Sequence, residues 1–202
     1  MKNIILLSAI ILIFGCNKKM LDASKNNITI ENIKTNEQKR NYLLAILADE
    51  QSEPKKSVSD IILKYGKPSK EYDNYIKNFY AKNNKNIVLI EKYFSAFGYP
   101  KISEVGDDAA STPWLVFLQS FNFYSKERNF IYLYRGFQAG DMRKKDFMWL
   151  LDIMYNHKFG KEYQMVGEYD ENKKIEQQIT DLGLDKQIVD FNDDLVDSMN
   201  DD

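Results

Sequence analysis

The chain has 202 residues, with 28 lysines and arginines against 30 aspartates and glutamates; the net charge of −2 provides no basic field for nucleic acid or for an anionic lipid surface. A single histidine excludes a histidine-rich zinc site, and a single cysteine excludes an intrachain disulfide, so stability has to come from an apolar core. This length suits one domain with a sizeable core.

Lys2 precedes an apolar stretch from Ile4 to Phe14, followed by Gly15 and Cys16. That is the layout of a secretory signal, and the stretch is too short to span a bilayer as a stable helix. A small residue directly before a cysteine at the end of such a segment resembles the lipobox of bacterial lipoproteins, in which the cysteine is acylated and becomes the first mature residue. The resemblance implies a signal peptide at 1–15 and a membrane anchor at Cys16 carrying fatty acyl chains such as palmitate, and it places the protein in the bacterial cell envelope. Phe14 is bulkier than the residue usual at that position. Residues 16–34 are rich in Lys and Asn and read as the lipidated cysteine and a flexible tether. Asn17, Lys18 and Lys19 lack the acidic pair of surface-export signals, which points to a periplasm-facing anchor.

A helical domain is expected over 35–192. In "TNEQKRNYLLAILADEQ", Thr35 and Gln38 form a capping-box pattern ahead of Leu43, Leu44, Ile46 and Leu47. A short helix about "SVSDIILKYG" stops at Gly66 with Pro68 beyond it. A longer one carries Tyr72, Tyr75, Ile76, Phe79 and Tyr80, then Ile87, Ile90, Phe94 and Phe97, at three- and four-residue spacings before Gly98 and Pro100. "DDAASTPWLVFLQSFNFY" begins with two aspartates that complement a helix dipole, and Pro113 either kinks this helix or, with Thr112 as cap, marks its first turn. Helices about "SKERNFIYLYRGF" and "MRKKDFMWLLDIMYNH" follow, the second with Phe147, Leu150, Leu151 and Met154 on one face. Only "EYQMVGEY" looks strand-like. The segment "NKKIEQQITDLGLDKQIVDF" is a last helix, and 193–202 is an acidic tail. The fold class is therefore mainly α, one compact domain of six to eight helices.

"FGYP" at 97–100, "VGDDAASTPWLVFLQS" at 105–120 and "DLGL" at 181–184 resemble, in order and spacing, the landmarks of the bacterial family called domain of unknown function 6624. The resemblance runs from about Leu43 to the end and implies a mostly helical fold, with no activity to carry over. The chain departs from the family pattern where Ser120 follows Gln119 in place of His, where Ile153 follows Asp152 in place of Arg, and where Val166 replaces a tyrosine.

Gln119, Asp152 and Gln164, at positions where the family pattern is partly retained, form one candidate polar site. Asp107 and Asp108 are a second, although adjacent helical residues do not face each other. His157, at a helix end before a glycine turn, can simply interact with terminal carbonyls. Asp190, Asn192 and Asp194 have the alternate spacing of a calcium loop, but Leu195 stands where that loop needs glycine, so the tail reads as solvated. Seven aromatic residues lie between Phe121 and Phe137, of which Tyr124, Tyr132 and Tyr134 are candidates for a face that stacks on sugars or lines a peptide groove. No nucleophile triad, P-loop or dinucleotide signature is present, and neither cofactor nor metal is expected. These features lead to a membrane-anchored, non-catalytic module that binds another envelope protein, a peptide or a glycan. The alternatives are a small envelope hydrolase with a carboxylate site, which requires at least two carboxylates and Gln119 to converge, and a purely structural module.

Overall fold

Local capping starts the first helices where the sequence predicts. The structure, a computed structural model, describes residues 29–52 and 57–189. Helix α1 (Asn36–Gln51) opens with the capping box: the Thr35 hydroxyl accepts from the Gln38 amide, and the Gln38 side chain accepts from Thr35 N–H. Ser57 and Asp60 form a second box at α2 (Val58–Tyr65), and α3 (Lys70–Phe97) runs unbroken for 28 residues. Two single-turn helices, α4 (Ile102–Val105) and α5 (Asp107–Ala110), lead into α6 (Thr112–Gln119). Then come α7 (Phe123–Glu127), α8 (Phe130–Gln138), α9 (Lys144–Phe159) and α10 (Glu171–Leu182).

These helices form one compact multi-helix domain. Helix α1 packs against α3, α4, α5 and α6, while α9 is sandwiched among α6, α7, α8 and α10. The core centres on Leu43, Ile90, Phe94, Phe117, Phe130, Leu133 and the predicted α9 face of Phe147, Leu150, Leu151 and Met154, all fully buried. Trp114 joins α6 to α9 by donating from Nε1 to the Asp146 carbonyl at 2.9 Å.

Several expectations need correction. Thr112 does not cap α6: Ser111 occupies the cap position, Pro113 sits in the first turn, and the Thr112 hydroxyl reaches the Leu43 carbonyl instead, tying α6 to α1. The aromatic segment after Ser120 is two helices because the chain turns at Arg128 and Asn129, where the Asn129 side chain bonds the Ser125 carbonyl and Glu91. "EYQMVGEY" forms no strand: it is an exposed connection with no strand beside it among the described residues, and Gly167 breaks its extension at φ 92°. The packed part also begins upstream of Thr35, since Ile33 is buried in the core and Ile30 packs against it. The last segment is interrupted at Gly183, which adopts φ 73° so that Leu184 can return its N–H to the Ile179 carbonyl and bury its side chain. The anchor at Cys16 and the acidic tail lie outside the described residues.

The stretch "FGYP" at 97–100 supplies a packing device. Tyr99 of "FGYP" is buried, stacks toward Phe94 at 5.9 Å, and presses its ring onto Gly136 of α8. A Cβ at Gly136 would lie 2.5 Å from the Tyr99 ring carbons. Gly136→Ala should therefore destabilise the protein by about 2 kcal/mol, opposite in sign to the helix propensity of alanine. Chemical denaturation checks this, and Tyr99→Leu in the same chain should recover most of the loss.

Candidate functional site

Helices α1 and α3 meet through a buried polar network. Tyr42, Ile46 and Glu50 share the buried face of α1, which places the Glu50 carboxylate, only 3 % exposed, against α3. There Asn83 Nδ2 donates to Oε1 at 3.1 Å and Asn86 Nδ2 to Oε2 at 2.6 Å. Asn83 Nδ2 also donates to the Val116 carbonyl, bringing in α6, and Lys82 Nζ closes the end of α1 through the carbonyls of Glu50 and Ser52. The network fixes how α3 sits against α1 and α6, and so fixes one wall of the cleft beside it.

That cleft is open, holds about 260 Å³, and is lined by Tyr80, Asn83 and Asn84 of α3 and by Ser120, Phe121 and Asn122 of the α6–α7 connection. Its two rings are unusually exposed for their size, 41 % at Tyr80 and 52 % at Phe121. They meet edge to face at 5.6 Å, with Phe79 a further edge contact at 6.2 Å and His157 stacked behind Phe121 at 6.2 Å. Among the described residues, no carboxylate, amine or imidazole lines this cleft.

Behind the connection lies a second cluster. Lys126 is completely buried, and its ammonium donates to the Ser120 carbonyl. Burial pushes its pKa down to about 8, since the charged form has lost its water. The hydroxyls of Ser120 and Ser125 bond each other at 2.9 Å, and Ser125 also donates to the Asn122 carbonyl. His157 Nδ1 does not reach a terminal carbonyl: it is buried with no hydrogen-bond partner among the described residues, and burial together with the nearby Lys126 charge lowers the imidazole pKa below the ordinary value. Nucleophile and base types thus stand close together, yet the lysine serves a backbone carbonyl and the hydroxyls serve each other. The arrangement holds the loop that carries Phe121 and Asn122, and it presents no activated hydroxyl to solvent.

The candidates read from sequence are not brought together. Asp152 is clasped by α10, with Lys174 Nζ at 2.8 Å and Gln178 Nε2 donating at 2.8 Å. Gln164 is exposed in the connection before α10, and Gln119 is half-buried at the end of α6. Asp107 and Asp108 are exposed in the single turn of α5. No hydrogen bond or ion pair among the described residues joins Gln119, Asp152, Gln164, Asp107 and Asp108 to one another. Of the tyrosines, Tyr124 is 71 % exposed; Tyr132 stacks on Phe94 at 4.8 Å, and Tyr134 packs among Phe130, Phe137 and Phe147. Sequence reasoning passed over Tyr80, Asn83, Asn84, Phe121 and Asn122. Their one local signal is the polar pair Asn83 and Asn86 interrupting the apolar spacing of α3.

Among the described residues, no group of three or more His, Cys, Asp or Glu side chains is placed to hold a metal ion, and no helix is long and apolar enough to cross a membrane. Compared with known protein families, curated proteins and solved structures, the chain matches none.

Proposed function

We propose that the chain is a lipid-anchored protein of a bacterial cell envelope, held to a membrane through Cys16 and facing the periplasm, and that its helical domain is a non-catalytic binding module. The anchor reading is supported by the Lys2, Ile4-to-Phe14, Gly15, Cys16 pattern. Several acyl chains on one residue hold a protein stably without a spanning helix, because each buried methylene contributes about 0.8 kcal/mol. The observation that carries the binding reading is the cleft between α3 and the α6–α7 connection: it exposes two large rings beside Asn83, Asn84 and Asn122, while Asp152 is engaged by Lys174 and Gln178.

Expression of the full chain beside Cys16→Ala tests the anchor. Intact mass should show a species beginning at Cys16 with added acyl mass, and fractionation should place it with membranes; both features should vanish in the variant. An unprocessed, soluble chain in both cases removes the envelope reading and frees Cys16 for another role.

A further inference from the structure

We infer that the cleft between α3 and the α6–α7 connection is a subsite for one neutral sugar ring, held between the Tyr80 and Phe121 rings and the amides of Asn83, Asn84 and Asn122. This rests on the reading of the domain as a binding module and names the ligand class for it.

Charge selects the class. With no carboxylate, amine or imidazole among the described residues of the lining, those residues offer nothing to neutralise an anion or a cation, and a charged ligand entering the cleft would lose water to them without gaining a counter-charge. The polar groups present are amides, and the surrounding bonds dictate what each offers. Asn83 is buried and has already committed Nδ2 to Glu50 and to the Val116 carbonyl, so the little that it presents to the cleft is its amide oxygen. Asn122 has the opposite bias: its Oδ1 accepts from the Tyr124 amide, which leaves the two Nδ2 protons as donors. Asn84 is exposed and supplies both kinds of group. Amide donors and acceptors side by side around a small space suit vicinal hydroxyls, each of which both donates and accepts.

The rings supply the other half of the recognition. A sugar has an apolar face of C–H bonds, and an exposed aromatic ring covers such a face while the hydroxyls at its rim remain hydrogen-bonded. Phe121 is kept in place by His157 behind it and by the edges of Tyr80 and Phe79, so little ring freedom is lost when a ligand arrives. Size limits the ligand: at about 260 Å³ the cleft lies just under the range of about 300–1,000 Å³ typical for drug-sized ligands, which suits a single ring with its neighbours in solvent. A peptide would be served by a strand edge or a long groove; no strand is present among the described residues, and the cleft is short.

The test is a titration of the full-length chain carrying Cys16→Ala, followed through the side-chain amide resonances of its asparagines. The probes are N-acetylglucosamine and glucose, with the tripeptide Gly-Phe-Gly in parallel. Binding of one sugar ring against a single edge-to-face pair of aromatic rings and a few amides should be weak, with a Kd on the order of 1 mM. Saturable shifts at Asn84 and Asn122, with little change at the buried Asn86, are the expected result. Phe121→Ala and Tyr80→Ala should each weaken binding about tenfold, and a circular dichroism spectrum unchanged from the parent keeps that loss interpretable. If the tripeptide shifts these resonances and neither sugar does, the sugar class is overturned while the binding module stands. If all three probes leave them unmoved at about ten times the expected Kd, the cleft is overturned as the site and the module reading loses its main support.

Discussion

Glu50→Ala is expected to cost about 3–4 kcal/mol of folding stability, with the urea midpoint falling and the slope of the transition unchanged. The carboxylate is buried and receives the amides of Asn83 and Asn86, so truncation leaves Asn86 Nδ2 without a partner, halves the bonding of Asn83, and opens a cavity between α1 and α3. Each orphaned buried donor costs about 1–3 kcal/mol, which makes the loss larger than for an exposed helical glutamate. Glu50→Gln separates the hydrogen-bonding role from the charge. Its amide oxygen can keep one asparagine, and Asn86 can turn its own amide over toward the new donor, since Asn86 Oδ1 has no partner among the described residues. A cost of about 1–2 kcal/mol is expected for this variant. Equal and small losses in both variants would show that the network contributes little. Because Asn83 also lines the cleft, Glu50→Ala should in addition weaken any ligand held there, and Glu50→Gln should largely restore it.

The helices and the α9 core face were legible in the sequence because their causes are local. A Thr and a Gln three residues apart make a capping box whatever else the chain does, and Phe147, Leu150, Leu151 and Met154 must bury a common stripe. Where the reading went astray, tertiary contacts decided the outcome. Thr112 looked like a cap, but the Leu43 carbonyl competes for its hydroxyl. Lys126 sits in "YSKERN", a string that reads as solvated, and only the wrapping of the α6–α7 connection takes it out of water. The row of aromatics from Phe121 to Phe137 was visible, but its partition was not: Phe130, Tyr134 and Phe137 converge on Phe147, leaving the first ring, in the connection itself, to face solvent. The cleft is built from residues about forty positions apart and has no compact motif; its trace is Asn83 and Asn86 occupying positions on α3 that the spacing of Phe79, Ile87 and Ile90 assigns to the core.

Lys126 gives the second large effect, and its sign is specific. The folded chain lowers the lysine pKa from an ordinary 10.5 to about 8 by desolvation, so between those values the unfolded state binds a proton that the folded state has released. Stability therefore rises with pH through this window, by an amount that approaches about 3 kcal/mol; below about pH 8 both states are protonated and the folded state carries the full cost of the buried charge. Tyr42 limits the rise at the alkaline end: burial holds its pKa at about 12, and Tyr93 and Tyr99 are pushed up as well, so above about pH 10 the unfolded chain loses tyrosine protons first and stability falls again. Urea unfolding followed from pH 7 to 11 should show a maximum near pH 10. In Lys126→Met the rise between pH 8 and 10 should disappear while the alkaline fall remains. At pH 7 the variant should be more stable by about 1–2 kcal/mol, because removing the buried charge outweighs leaving the Ser120 carbonyl without its donor. A parent chain with a flat profile from pH 8 to 10 would mean that the ammonium keeps its water, and the loop carrying Phe121 would then need another explanation for its fixed position.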